Sequence, residues 1–139
     1  MLDASAALAW AFPDEGSELA RTTLGAIGSG ACVVPAHWIL EVTNGLLLAE
    51  RRGRLRMNEH AEILERIEFL PIRVDAETYT RGWQDIPALA ARLRLTTYDA
   101  AYVELALRLD APLATLDQAL VRAAREVGAV VLTGGSASR

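Results

Sequence analysis

Short apolar runs recur along the chain, each followed by a longer stretch in which apolar positions return every three or four residues. Runs of that kind bounded by turn residues predict strands, and the longer spacing predicts helices. Strands are predicted at Met1-Leu2, 32–34, 72–74, 113–115 and 130–132. Helices are predicted over 4–11, 17–27, 36–52, 58–69, 76–93, 98–109 and 118–127, with Pro87 breaking the 76–93 stretch in two. Pro35 suits the first turn of its helix, and Gly128 the end of its own. Alternation of this sort implies an α/β fold around a mainly parallel sheet of five strands. Residues 1–133 read as one domain. The small, polar, terminal segment 134–139 is expected to be a disordered tail.

In open parallel sheets, ligands gather outside the carboxyl ends of the strands. Asp3 follows Met1-Leu2 and Asp117 follows Leu113-Ala114-Thr115-Leu116, so both belong at that edge. Asp99 lies in the first turn of the helix predicted after Leu95-Thr96-Thr97. Each aspartate has an ordinary structural explanation too, as a helix cap or a partner for the helix dipole.

Glu41 is the informative acid. Its segment, Trp38-Ile39-Leu40-Glu41-Val42-Thr43-Asn44-Gly45-Leu46-Leu47-Leu48, is apolar on nearly every side and is expected to be buried. A carboxylate there is costly unless paired, protonated or bound to metal. Asn44, one turn on, could share Glu41's ligand or hydrogen-bond to it. If the four carboxylates meet, each pair about 5 Å apart repels by about 3 kcal/mol at an effective dielectric near 20. An oxygen-rich, multiply negative cleft of that kind suits magnesium or manganese. Two histidines and one cysteine without zinc spacing do not suit zinc.

Composition narrows the choice. The net charge of −4 argues against coating nucleic acid by bulk electrostatics, although bound cations can supply positive charge locally. All 14 basic residues are arginine, so any mechanism that needs a lysine is excluded. That removes the response-regulator receivers, the haloacid-dehalogenase phosphatases and the P-loop nucleotide hydrolases. No membrane span or export leader is visible, and Cys32 reads as a buried thiol, so a cytoplasmic protein is expected. Arg51, Arg52, Arg54 and Arg56 fall within six residues; they suit either a solvated helix end stopped at Gly53 or a contact with RNA phosphates or an acidic partner. Trp10, Phe12, Tyr79 and Trp83 read as core or subunit-interface residues, and His37 and His60 as too isolated to build a catalytic dyad.

Taken together the residues resemble the PIN domains, and within them the VapC-type toxins. The resemblance rests on Leu2-Asp3-Ala4-Ser5-Ala6-Ala7-Leu8-Ala9-Trp10, Glu41-Val42-Thr43-Asn44-Gly45-Leu46, Leu95–Ala106 with Asp99 at its centre, and Pro112-Leu113-Ala114-Thr115-Leu116-Asp117. It implies a three-layer α/β/α domain with a central sheet, and hydrolysis of RNA with magnesium or manganese. Asp3, Glu41, Asp99 and Asp117 match the family's acidic site residues, and Thr115 the hydroxyl residue that accompanies the last acid. The resemblance also implies a small antitoxin that blocks the cleft, and a homodimer. Only two residues precede Asp3, where relatives carry a fuller first strand, and Gln118 stands where some carry another polar or acidic group near the metal. On this reading Asp3, Asp99 and Asp117 hold one magnesium, Glu41 completes the shell or orients the attacking water, and Thr115 supports a carboxylate. The rival reading is a catalytically inactive binding or scaffold module of the same fold.

Overall fold

A computed structural model describes residues 1–12, 17–30, 32–133 and 136–138. The described elements, in chain order, begin with α1 (Ala4–Leu8), α2 (Ser17–Ser29), β1 (Cys32–Val34), α3 (Trp38–Arg51), α4 (Met57–Glu68) and β2 (Ile72–Val74). There follow α5 (Thr78–Arg81), α6 (Asp85–Leu93), α7 (Thr97–Arg108), β3 (Leu113–Ala114), α8 (Gln118–Glu126), β4 (Val131–Thr133) and β5 (Ser136–Ser138). The α/β alternation read from the sequence is therefore present, with every predicted helix region and every predicted strand region but the first occupied.

The sheet is more divided than expected. Among the described residues, β1 pairs in parallel with β2, and β3 in parallel with β4. The predicted first strand is a single bridge, Leu2 to Ala114, held by Asp3 N donating to Ala114 O and Ala114 N to Met1 O, both at 3.0 Å. Among the described residues this bridge is all the strand pairing that the segment before α1 makes. Ser136–Ser138, within the segment expected to be disordered, pairs antiparallel with β4. Residues 134, 135 and 139 of that segment lie outside the described residues.

Three details correct the sequence reading. The 76–93 stretch does break, but between Arg81 and Asp85; Pro87 sits in the first turn of α6, where a missing N–H leaves no helical bond unmade. Pro35 lies ahead of α3, its carbonyl accepting from Trp38 N at 3.1 Å. Nor is α3 buried all round: Trp38, Val42, Leu46 and Ala49 form its inner stripe, while Leu40 is 69% exposed. The flanking leucines carry an outer apolar face that periodicity alone cannot distinguish from an inner one.

One core joins both halves. Leu2, Val34, Val42, Leu46, Tyr102, Val103, Leu113 and Val131 are buried in it, together with the alanines of α1 and Ala123-Ala124 of α8. Burying such side chains is worth about 1.5–3 kcal/mol each for the larger ones. Cys32 is buried there as expected. Close approach decides Gly45, where an added Cβ would lie 2.4 Å from a Leu8 methyl; its absence lets α1, with Asp3 at its head, lie against the helix that carries Glu41. Gly128, at φ +80°, ends α8 by a turn that puts Ala129 N on Ala124 O at 2.9 Å. That turn feeds β4 into the sheet.

Candidate active site

The strand edge gathers the acids by three different devices. Asp3 stands at the head of α1 but makes no capping hydrogen bond. Its carboxylate is 7% exposed as a residue and accepts instead from the hydroxyls of Ser5 and Thr115, the latter at 2.7 Å. Thr115 Oγ1 in turn accepts from Asp117 N at 3.0 Å, and Ser5 Oγ from Leu116 N at 3.0 Å. One hydroxyl relay therefore ties the start of the chain to the turn after β3. Burial pushes the Asp3 carboxyl above the ordinary carboxylate range, and the two hydroxyls only partly offset this.

Asp117 behaves as the ordinary explanation foresaw. Its Oδ1 accepts from Ala119 N at 2.7 Å and Leu120 N at 3.2 Å, capping α8. Asp99 is placed by a reciprocal cap at the head of α7: Thr96 Oγ1 accepts from Asp99 N at 3.1 Å and donates to Asp99 Oδ2 at 2.7 Å. This is the Ser/Thr-x-x-acid arrangement in which cap and acid satisfy one another.

Glu41 projects from the first turns of α3 with its side chain 34% exposed. The buried Tyr102 hydroxyl donates to its Oε2. Burial raises the Glu41 carboxyl pKa; the Tyr102 hydrogen bond opposes this, and the charges of Asp3 and Asp99 add to the rise. The same Glu41 and Asp3 charges reinforce burial in pushing the Tyr102 phenol upward. The charges of Asp3 and Asp99 thus bear on Glu41, whereas Asp117 is tied to this group only by its backbone N–H on Thr115. Among the described residues no arginine pairs with any of the four. Arg81 and Arg108 are instead held by Asp75, Glu77, Asp85 and Glu104.

His37 needs correction: it is not isolated. Its Nε2 lies 3.5 Å from Glu41 Oε2, buried and without a hydrogen-bond partner. Its ring packs against Tyr98 and Tyr102, at centroid distances of 5.5 and 5.3 Å. Burial lowers its pKa. His60 is likewise paired, with Glu50, at 2.6 Å on the α3–α4 seam. Asn44 is exposed, makes no hydrogen bond to Glu41 and lines a groove with Leu40, Thr43, Leu47 and His60.

The four arginines at the end of α3 are exposed. Arg54 lies over the Phe12 ring at 4.6 Å, and Arg56 pairs with Glu59 at 2.9 Å, so two of the four have structural employment. Trp10 does pack on the core and donates to Thr23 Oγ1 at 3.1 Å. Tyr79 and Trp83, expected in a core or interface, are 75% and 72% exposed and form an edge-to-face pair.

Four residues with a hand in the site escaped the sequence reading: Ser5, His37, Thr96 and Tyr102. Thr96 had a signal, its spacing to Asp99. Ser5, two residues from Asp3, had a weak one. His37 had one too, its four-residue spacing to Glu41; Tyr102 had none, because its contact crosses from α7 to α3.

Among the described residues no group of three or more histidine, cysteine, aspartate or glutamate side chains converges tightly enough to hold an ion. The donor chemistry still fits a hard cation. The donors are carboxylate oxygens, they lack arginine partners, and two of them are held above the ordinary carboxylate range by burial.

Comparison with known proteins agrees with this architecture. The PIN domain family model matches residues 1–126. Ribonuclease VapC3 of Pyrobaculum aerophilum is 35% identical over 120 residues, covering 86% of this chain and 90% of that protein. The crystal structure of PAE2754 from Pyrobaculum aerophilum is similar in fold, with a TM-score of 0.59 at 22% identity over 94% of this chain and 87% of that one. A family model matched over residues 1–126, with a curated relative 35% identical along most of the chain, establishes that the protein belongs to the PIN-domain family and is similar within it to the VapC-type ribonucleases.

Proposed function

We propose that the protein is a divalent-metal-dependent endoribonuclease toxin that hydrolyses RNA phosphodiester bonds and is restrained by a small cognate antitoxin. The observation that carries the reading is the group of Asp3, Glu41 and Asp99, two of them raised in pKa by burial and, among the described residues, none paired with an arginine. Carboxylates held in that way are stabilised by a cation, and the similarity to Ribonuclease VapC3 supplies the substrate class. Magnesium keeps several of its waters, so acids spread around a cleft suit it without a tight protein cage; manganese fits the same donors. Asp3, Glu41, Asp99 and Asp117 are the residues that would hold it.

A bound divalent cation supplies charge stabilisation at the phosphoryl oxygens and acidifies a water. The chain's own residues do the rest. Thr115 and Ser5 fix the Asp3 carboxylate by donating to its Oδ2. Tyr102 does the same for Glu41, so that Oε1 can orient a water or take its proton. Thr96 holds Asp99 against the start of α7. Asp117 spends Oδ1 on the α8 cap, which fixes its carboxylate at the turn after β3. Asn44 and the arginines 51, 52, 54 and 56 are placed outside this group; the arginines suit RNA phosphate or an acidic antitoxin segment. A homodimer and a cytoplasmic location complete the proposal. Among the described residues, no helix is long and apolar enough to cross a membrane.

The test is cleavage of single-stranded RNA with magnesium or manganese, against EDTA and against Asp99→Asn. Loss of cleavage in both controls is expected. Cleavage that survives in the folded variant overturns the site. Manganese titration by calorimetry of wild type and Glu41→Ala separates the enzyme from an inactive module of the same fold, which would bind no cation.

A further inference from the structure

Three rings run in series from solvent to the acids. Tyr98 is 60% exposed at the first turn of α7, immediately before Asp99. Its ring is backed by His37 at 5.5 Å and 59°. His37 meets Tyr102 edge-on at 5.3 Å, and Tyr102 donates to Glu41. Because His37 is largely enclosed, it fixes the inner side of the Tyr98 ring and leaves the outer side to solvent. His37 Nε2 also lies 3.5 Å from Glu41 Oε2, so the histidine that backs the exposed ring touches the acids on its other side.

We infer that Tyr98, braced by His37, is a stacking platform for an unpaired nucleobase next to the scissile phosphodiester. The inference rests on the ribonuclease reading and deepens it by naming what the lip of the cleft binds. Every base has a π face, so the platform tolerates base identity but requires a base free of its own stack. A duplex, whose bases are already stacked and paired, cannot offer one without first opening. Base–aromatic stacking of about 1–3 kcal/mol corresponds to about a fivefold to 150-fold effect on binding.

The experiment uses short single-stranded homopolymers of U, A and C, cleaved with manganese by wild type, Tyr98→Ala and Tyr98→Phe. Tyr98→Ala is expected to raise KM about tenfold or more on all three RNAs, with kcat nearly unchanged. Tyr98→Phe, which keeps the ring, should restore KM. Manganese binding by calorimetry should be the same for all three proteins. A KM for Tyr98→Ala equal to wild type overturns the platform while leaving the nuclease intact. So does an equal loss of manganese affinity, because the ring would then only support the acids. Wild type that cleaves no RNA overturns both readings.

Discussion

Replacing Thr115 by valine keeps the shape of a fully buried side chain and deletes its hydroxyl. Its hydrogen bonds go with it: the one donated to Asp3 at 2.7 Å, the one accepted from Asp117 N at 3.0 Å, and a longer contact with Ser5 Oγ at 3.4 Å. A bond to a carboxylate contributes about 1.5–3 kcal/mol, and a part-buried amide left without its acceptor costs about 1 kcal/mol. Ser5 still donates to Asp3, which limits the damage. The expected loss is about 2–4 kcal/mol, or a fall in Tm of about 8–16 °C for a domain of this size. Urea unfolding followed by circular dichroism in EDTA measures it without any contribution from metal. The same substitution in an Asp3→Ala background should cost at least about 1.5 kcal/mol less, since the main partner is already gone. A loss below about 1 kcal/mol, or an undiminished loss in that background, refutes the relay as the device that holds the first acid.

Three further outcomes follow from the same contacts. Tyr102→Phe should weaken manganese binding about tenfold while leaving the far-ultraviolet spectrum unchanged, because the ring stays packed and only the hold on Glu41 is lost; an unchanged isotherm contradicts this. In EDTA the folded protein holds protons on Asp3 and Glu41 more tightly than the unfolded chain does, so their contribution to stability is full below the ordinary values of 3.8 and 4.5 and is lost as pH rises through the raised ones. Urea midpoints of Asp3→Asn should therefore gain on wild type from acid toward neutral pH, and parallel curves would count against the buried acid. Arg108→Met breaks the contacts with Asp75 and Glu104 at 2.9 Å and should cost about 2–3 kcal/mol without changing manganese affinity; a large affinity change would tie that network to the site.

The legible parts of this protein are those governed by local spacing. The helices of α7 and α8 were visible from periodicity and from Thr96 and Asp117, residues whose capping chemistry acts within three positions. The strand-to-helix turns located Asp3 and Asp117, because parallel topology sends every such turn to one edge. Glu41 stood out as a charge in an apolar segment. Its degree of burial was misjudged, since the outer row Leu40, Leu47 and Leu48 looks the same in sequence as an inner one.

Sequence alone determined the α/β rhythm, the four acids and the exclusion of lysine chemistry, because each follows from residue type and short-range order. Tertiary structure decided what holds two of those acids: Thr115 reaches Asp3 across 112 positions and Tyr102 reaches Glu41 across 61. It also turned His37 from an isolated histidine into the brace between two tyrosines. Contacts of that separation depend on how whole elements pack against the core, and no local pattern encodes them.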